Sequence, residues 1–194
     1  SRGKVLPTER TLFLEMLSPG LSEIIRETNT HSVNLFAEHM LIHCGLKQSG
    51  KNRTEQATGD VIRFWKSKGI DTRGMFLFDG SGLSRANSFT ARQMTGILKY
   101  MKDSSQYFED FYESLPVGGK TGTLKSLFKE HPLGSQIRAK SGSIGRVKAY
   151  CGYVHLVSGR DIAFSMMVND FSGSSANATK KLEKLMLALA EFKL

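Results

Sequence analysis

The chain has 194 residues, 40% of them hydrophobic and 23% charged, with a formal net charge of +9. That is polypeptide enough for one domain with a buried core, and no apolar run approaches the roughly 18 residues a membrane span needs. The positive balance suits a carboxylate substrate or an anionic envelope polymer; its scattered lysines and arginines, without a basic run interleaved with aromatics, argue against nucleic acid.

Residues 1–9 are polar. Leu12, Leu14 and Met16 alternate within Thr11–Leu17, which predicts a short strand. Ser18-Pro19 reads as a helix start, with Ser as N-cap and Pro in the first helical position. The polar run Thr28-Asn29-Thr30-His31-Ser32 is expected to break that helix. Val33, Phe36, Ala37, Met40, Leu41 and Cys44 then recur with helical period on one face, and Gly45 reads as the C-terminal cap. A further helix is predicted from Glu55 to Gly69, with Ala57, Val61, Phe64 and Trp65 inward. Met75–Phe78 is a short apolar element, and Asp79-Gly80-Ser81-Gly82 a turn. Thr90-Ala91-Arg92-Gln93 has the spacing of a capping box opening a helix to about Lys102.

Residues 103–135 are loop-rich, with short helical pieces expected around Ser105–Tyr112 and Leu124–Lys129. From Gln136 the hydrophobic period changes to two. Lys148–Val157 and Asp161–Asn169 read as strands joined by a Ser158-Gly159 turn. A final amphipathic helix carries Ala178, Leu182, Leu185, Met186 and Leu189 on one face. Helices first, an antiparallel meander next and a terminal helix last make an α+β layout, read as one domain over residues 1–194.

Cys44 and Cys151 lack metal-ligand spacing; both lie in apolar periodic segments, which predicts buried free thiols and leaves a disulfide open. His39 and His43 stand one helical turn apart without a third ligand, largely opposite the apolar stripe. They are expected on a solvated face, and neither a metal site nor a cofactor is predicted.

Three short runs carry chemistry. Ser32-Val33-Asn34 can aim a hydroxyl and an amide into one cleft, although Ser32 also suits a plain N-cap. Asp79-Gly80-Ser81-Gly82-Leu83-Ser84-Arg85 is Gly-rich, but has neither the length nor the lysine of a phosphate loop. Lys140-Ser141-Gly142, followed by Ser143, sits on a predicted strand, where a Lys-(Ser/Thr)-Gly run can hold a substrate carboxylate. Lys120-Thr121-Gly122 matches that pattern letter for letter, in a loop-like stretch without a continuing strand.

With Ser32–Glu38, Asp79–Arg85, Leu115–Gly119, Ala139–Ser143 and Ala149–Tyr153 in this order, the chain resembles the C-terminal part of a D-alanyl-D-alanine carboxypeptidase/endopeptidase of the low-molecular-mass class C penicillin-binding proteins. The resemblance implies a partial β-lactamase/transpeptidase-like fold lacking the N-terminal strands and the nucleophile helix. It also implies that Ser32 relays a proton to the leaving group and that Asn34 hydrogen-bonds the substrate amide. Lys140, Ser141 and Gly142 would hold the carboxylate, and the Ser143 N–H would serve as an oxyanion-hole donor. The substrate so implied is a peptidoglycan stem peptide in the periplasm or extracytoplasmic envelope, with β-lactams as ligands of the intact protein.

The family's nucleophile motif, Ser-x-x-Lys opening a buried helix ahead of the Ser-x-Asn run, has no counterpart in order. Ser1-Arg2-Gly3-Lys4 is a chain end, and Ser126-Leu127-Phe128-Lys129 falls between the other two motifs. The expectation is a fragment, inactive by itself, or else a non-catalytic peptidoglycan-binding module on the same scaffold. Without upstream strands, Asp161–Asn169 is expected to leave an open edge, to be met by Thr11–Leu17, a second copy or disorder.

Overall fold

The computed structural model describes residues 13–193. Two helices come first, α1 (Leu21–His31) and α2 (Asn34–Ser49), then α3 (Thr54–Ser67), α4 (Ala91–Ser104) and α5 (Phe108–Ser114). Strands β1 (Ile137–Ile144), β2 (Val147–His155) and β3 (Asp161–Val168) follow, and α6 (Ser175–Ala190) ends the order. Among the described residues the strands form one antiparallel sheet in the order β1-β2-β3.

Alternation along the strands separates two apolar layers. Ile137, Ala139, Tyr150, Val154 and Phe164 pack with Leu182, Met186 and Ala190 of α6. The opposite face turns Tyr153 and Cys151 toward Leu98 of α4 and toward Phe108, Phe111 and Tyr112 of α5. Tyr153 is fully buried, and its hydroxyl is satisfied by Leu98 O at 2.7 Å. Lys140 pairs with Cys151, so its side chain starts on this second face, the one that meets helices α4 and α5.

The capping box holds: Thr90 Oγ1 accepts from the Gln93 N–H at 3.1 Å, and Gln93 Oε1 accepts from the Thr90 N–H at 2.8 Å. The hairpin turn at Gly159 (φ +80) also follows the sequence, and Ser174 caps α6, its side chain accepting from the Asn177 N–H at 3.2 Å.

Several expectations are corrected. The helix does not start at Ser18-Pro19; Gly20 is its N-cap. Nor does it break at Thr28, because Thr28 Oγ1 donates to Ile24 O at 2.6 Å, and Asn29 and Thr30 bond to Ser114. With their polar groups satisfied inside the fold, these residues stay helical through His31. Gly45 is no cap. A Cβ there would lie 2.7 Å from Ala57 Cβ, so the glycine lets α2 and α3 approach, and the helix runs on to Gly50 in the left-handed region. The predicted stripe of α2 is buried only at Leu41, and Cys44 is exposed rather than buried. Phe64 faces outward instead of inward. Leu124–Lys129 has a single 3-10 turn at Gly122–Leu124 in place of a longer helical piece.

Of the predicted first strand, residues 11 and 12 lie outside the described residues, and 13–17 are irregular. No described strand pairs with the outer edge of β3.

Candidate active site

Ser32 stands between α1 and α2 in the left-handed region, at φ 57 and ψ 50, as the C-cap of α1. It is not the N-cap of α2. That place falls to Val33, which offers no side-chain cap. A non-glycine residue with positive φ stores strain, and here it turns the Ser32 hydroxyl to the sheet. Lys140 Nζ reaches across from β1 and donates to Ser32 Oγ at 2.8 Å and to Ser141 O at 2.9 Å.

Burial lowers the Lys140 ammonium below the usual lysine value. Its register partner on β2, Cys151, is kept a neutral thiol, since burial pushes it up to about 11. No described carboxylate lies within 4 Å of Lys140 Nζ, and the ammonium donates to one hydroxyl and one carbonyl.

The free edge of β1 adds backbone groups. On its outer side, Gly118 N–H donates to Ile137 O at 2.9 Å and Ala139 N–H donates to Pro116 O at 3.0 Å. By the two-residue alternation of a strand, Ser141 and Ser143 present their N–H and C=O groups to the same side. No described segment pairs with them there, so an extended peptide can add to this edge as a further strand. The Ser141 side chain alternates away from the face of Lys140. Gly142 and Ser143 are exposed farther along the strand, and Asn34 is exposed on the first turn of α2. The structure thus joins Ser32, Lys140 and the Ser141 carbonyl. Asn34 follows Ser32 by two positions, at the start of α2, and its exposed side chain has no hydrogen bond to a described residue.

Glu38 has no role foreseen from its sequence pattern. Its carboxylate accepts from the Gly80 N–H at 3.1 Å and the Ser81 N–H at 2.9 Å, docking the 79–85 loop on α2. Desolvation raises this carboxyl, but bonds from the Ser81 hydroxyl and the Gly80 and Ser81 amides outweigh it and hold it below the ordinary value. A Cβ at Gly80 would lie 2.5 Å from Ala37 O, so only glycine permits that docking. Arg85, at the far end of the loop, comes close to Gly145 in the β1–β2 turn. The signal available in sequence was the pairing of an acidic residue on a helix with a Gly-rich turn, which is common.

Ser126 and Lys129 do not open a helix. They lie in turns and line a separate cavity with Glu183 and Leu187 of α6. His39 and His43 are exposed, and no group of metal-ligating side chains occurs among the described residues.

A model of the D-Ala-D-Ala carboxypeptidase 3 (S13) family matches residues 3–191. The D-alanyl-D-alanine carboxypeptidase of an Actinomadura species is 31% identical over 180 residues, which take in 90% of this chain and 33% of that one. Carboxypeptidase DacB of Mycolicibacterium smegmatis is 29% identical over 181 residues, 91% of this chain and 39% of that one. In fold, the chain is similar to penicillin binding protein 4 (dacB) from Haemophilus influenzae, with a TM-score of 0.80 at 23% identity over 88% of this chain and 40% of that one. It is also similar to the TLA-3 extended-spectrum β-lactamase, with a TM-score of 0.69 at 20% identity over 90% of this chain and 66% of that one. The chain spans 33–39% of the length of these two curated relatives.

Proposed function

The chain belongs to the D-Ala-D-Ala carboxypeptidase 3 (S13) family, and on that premise we propose that it supplies the carboxylate-binding and proton-relay half of a serine acyl-transfer site. The substrate class is the D-Ala-D-Ala terminus, or the cross-link, of a peptidoglycan stem peptide. The place of action is the periplasm or extracytoplasmic envelope. Among the described residues no helix is long and apolar enough to cross a membrane.

In this reading the stem peptide lies along the free edge of β1, and its carboxylate is held by Lys140 together with Ser141 and Gly142. A serine hydroxyl attacks the penultimate carbonyl carbon, whose developing oxyanion is met by the Ser143 N–H, a contact worth roughly 3 kcal/mol in such sites. Collapse breaks the C–N bond. The departing amine takes its proton through Ser32, whose oxygen is kept in place by Lys140 Nζ, while Asn34 holds the substrate amide. Water then hydrolyses the ester. β-Lactams would enter by the same route and remain as the ester.

The observation that carries this reading is the 2.8 Å bond from Lys140 to Ser32, because it joins two separately identified motifs at one point. The nucleophile is assigned to a serine outside residues 1–194, since Ser126-x-x-Lys129 lacks a helix and sits in another cavity. Mass spectrometry of the 194-residue polypeptide after incubation with a labelled β-lactam tests that assignment. No covalent adduct is expected. A stoichiometric mass gain would overturn it and point first to Ser126. An intact protein without a Ser-x-x-Lys ahead of this region would instead favour a binding module.

A further inference from the structure

Lys120-Thr121-Gly122, the copy of the Lys-Ser-Gly run that has no strand, lines a cavity of about 550 Å³ with Thr30 and His31. Thr123 and Lys125 also line it. The turn is firmly built. The Lys120 and Thr121 amides both donate to Val117 O at 3.0 Å, and Thr121 Oγ1 accepts from the Val117 N–H at 2.9 Å. Gly122 has φ +52, and a Cβ on it would lie 2.3 Å from Thr30 O, so the turn is pressed directly onto the end of α1.

Among the described residues neither Lys120 nor Lys125 has a carboxylate within 4 Å, and the nearby acidic group, Glu27, stands 3.7 Å from His31. Both ammonium groups are exposed where they line this cavity, and an anion bound there is attracted by each. The Thr121 hydroxyl proton and the Thr123 hydroxyl are not committed to a described acceptor, and such donors strengthen around a negative charge.

Both walls lead to the candidate site. Thr30 and His31 immediately precede Ser32, while the strand of chain before the turn pairs with β1 at Val117 and Arg138, just ahead of Lys140. We propose that this cavity is a second carboxylate subsite, taking an acidic group of the peptide strand that departs when a cross-link is cut. The inference rests on the proposed function, in which the departing amine is protonated at Ser32. The group leaving a cross-link carries the rest of a second stem peptide and its carboxylates, whereas terminal trimming releases a single D-Ala. The cavity therefore favours cross-link cleavage.

Amide-resolved NMR of the 194-residue chain tests this with N-acetyl-Asp-Glu at constant ionic strength, against neutral N-acetyl-Asn-Gln. The Gly122 and Thr123 amides should shift saturably with the acidic dipeptide alone. A Lys120→Gln/Lys125→Gln variant with an otherwise unchanged spectrum should bind at least tenfold more weakly. No saturable shift, an equal response to the neutral dipeptide, or an unaltered response in the variant would overturn the subsite. N-acetyl-D-Ala-D-Ala, read at Ser141 and Ser143, separates the two levels. Response at Gly122 and Thr123 to the acidic probe with silence at the strand would overturn the proposed function, and the reverse would overturn the subsite alone.

Discussion

Lys140 Nζ donates to Ser32 Oγ at 2.8 Å although 108 positions separate them in sequence. The bond depends on an extended lysine from a strand and on a serine held left-handed between two helices. If the intact protein has the proposed activity, Ser32→Ala should lower its kcat/KM by about 10²–10⁴, the usual size of a proton-transfer contribution. Ser32→Gly distinguishes hydroxyl from backbone, since glycine adopts positive φ without strain; it should lose as much activity while folding at least as well. Lys140 adds a pH dependence. Its folded pKa is lowered by burial, so its charge is present at low pH and lost as pH rises through a value below the ordinary lysine figure of about 10.4. The alkaline limb of kcat/KM should fall in that window, and Lys140→Arg should remove it.

Glu38 makes a different pH prediction. A carboxyl whose folded pKa lies below its unfolded value contributes stability that is complete above the ordinary glutamate value of about 4.3 and fades as pH falls through the lower folded value. The Gly80 and Ser81 amide shifts should follow that titration with a midpoint below 4.3, and Glu38→Gln should abolish it. A midpoint above the ordinary value would show that the clamp does not hold the ionised form.

Gly152 pins the sheet beside Lys140. A Cβ there would lie 2.0 Å from Arg138 O and 2.6 Å from Ala139 Cα, both backbone atoms of the neighbouring strand. Neither can swing aside as a side chain would, so Gly152→Ala should cost about 3 kcal/mol of stability in urea titration. A change under about 0.5 kcal/mol, typical of tolerant surface positions, would mean that the two strands separate readily.

The outer edge of β3 has no strand partner among the described residues. Open edges recruit strands, so we expect the 194-residue polypeptide to self-associate through Asp161–Val168. Analytical ultracentrifugation should show concentration-dependent dimers, and a proline at Ala163 should reduce them. A strict monomer at all concentrations would contradict this expectation.

Where local chemistry decided the structure, the residues announced it. The Thr90/Gln93 capping box and the Gly159 turn were legible because each is satisfied by neighbours in sequence, and the period-two run read from Gln136 was legible because one face of the sheet is buried against α6. Thr28 and Gly45 misled for the opposite reason. One looked like a helix breaker until Thr28 Oγ1 found Ile24 O, and the other looked like a cap until Ala57 of another helix filled the space. At the candidate site, Lys140 was legible from its strand, and Lys120 was set aside for want of one. The left-handed turn at Ser32 and the reach of Glu38 to the Gly80 loop depend on tertiary placement, which no local pattern encodes.

The most direct measurement is an amide-resolved titration of this chain with N-acetyl-D-Ala-D-Ala. The peptide should move the Ser141, Gly142 and Ser143 amides together with those of Ser32 and Asn34, and Lys140→Ala should abolish the response. Shifts confined to other surfaces, or a response that survives loss of Lys140, would contradict the assignment of this strand to substrate carboxylate.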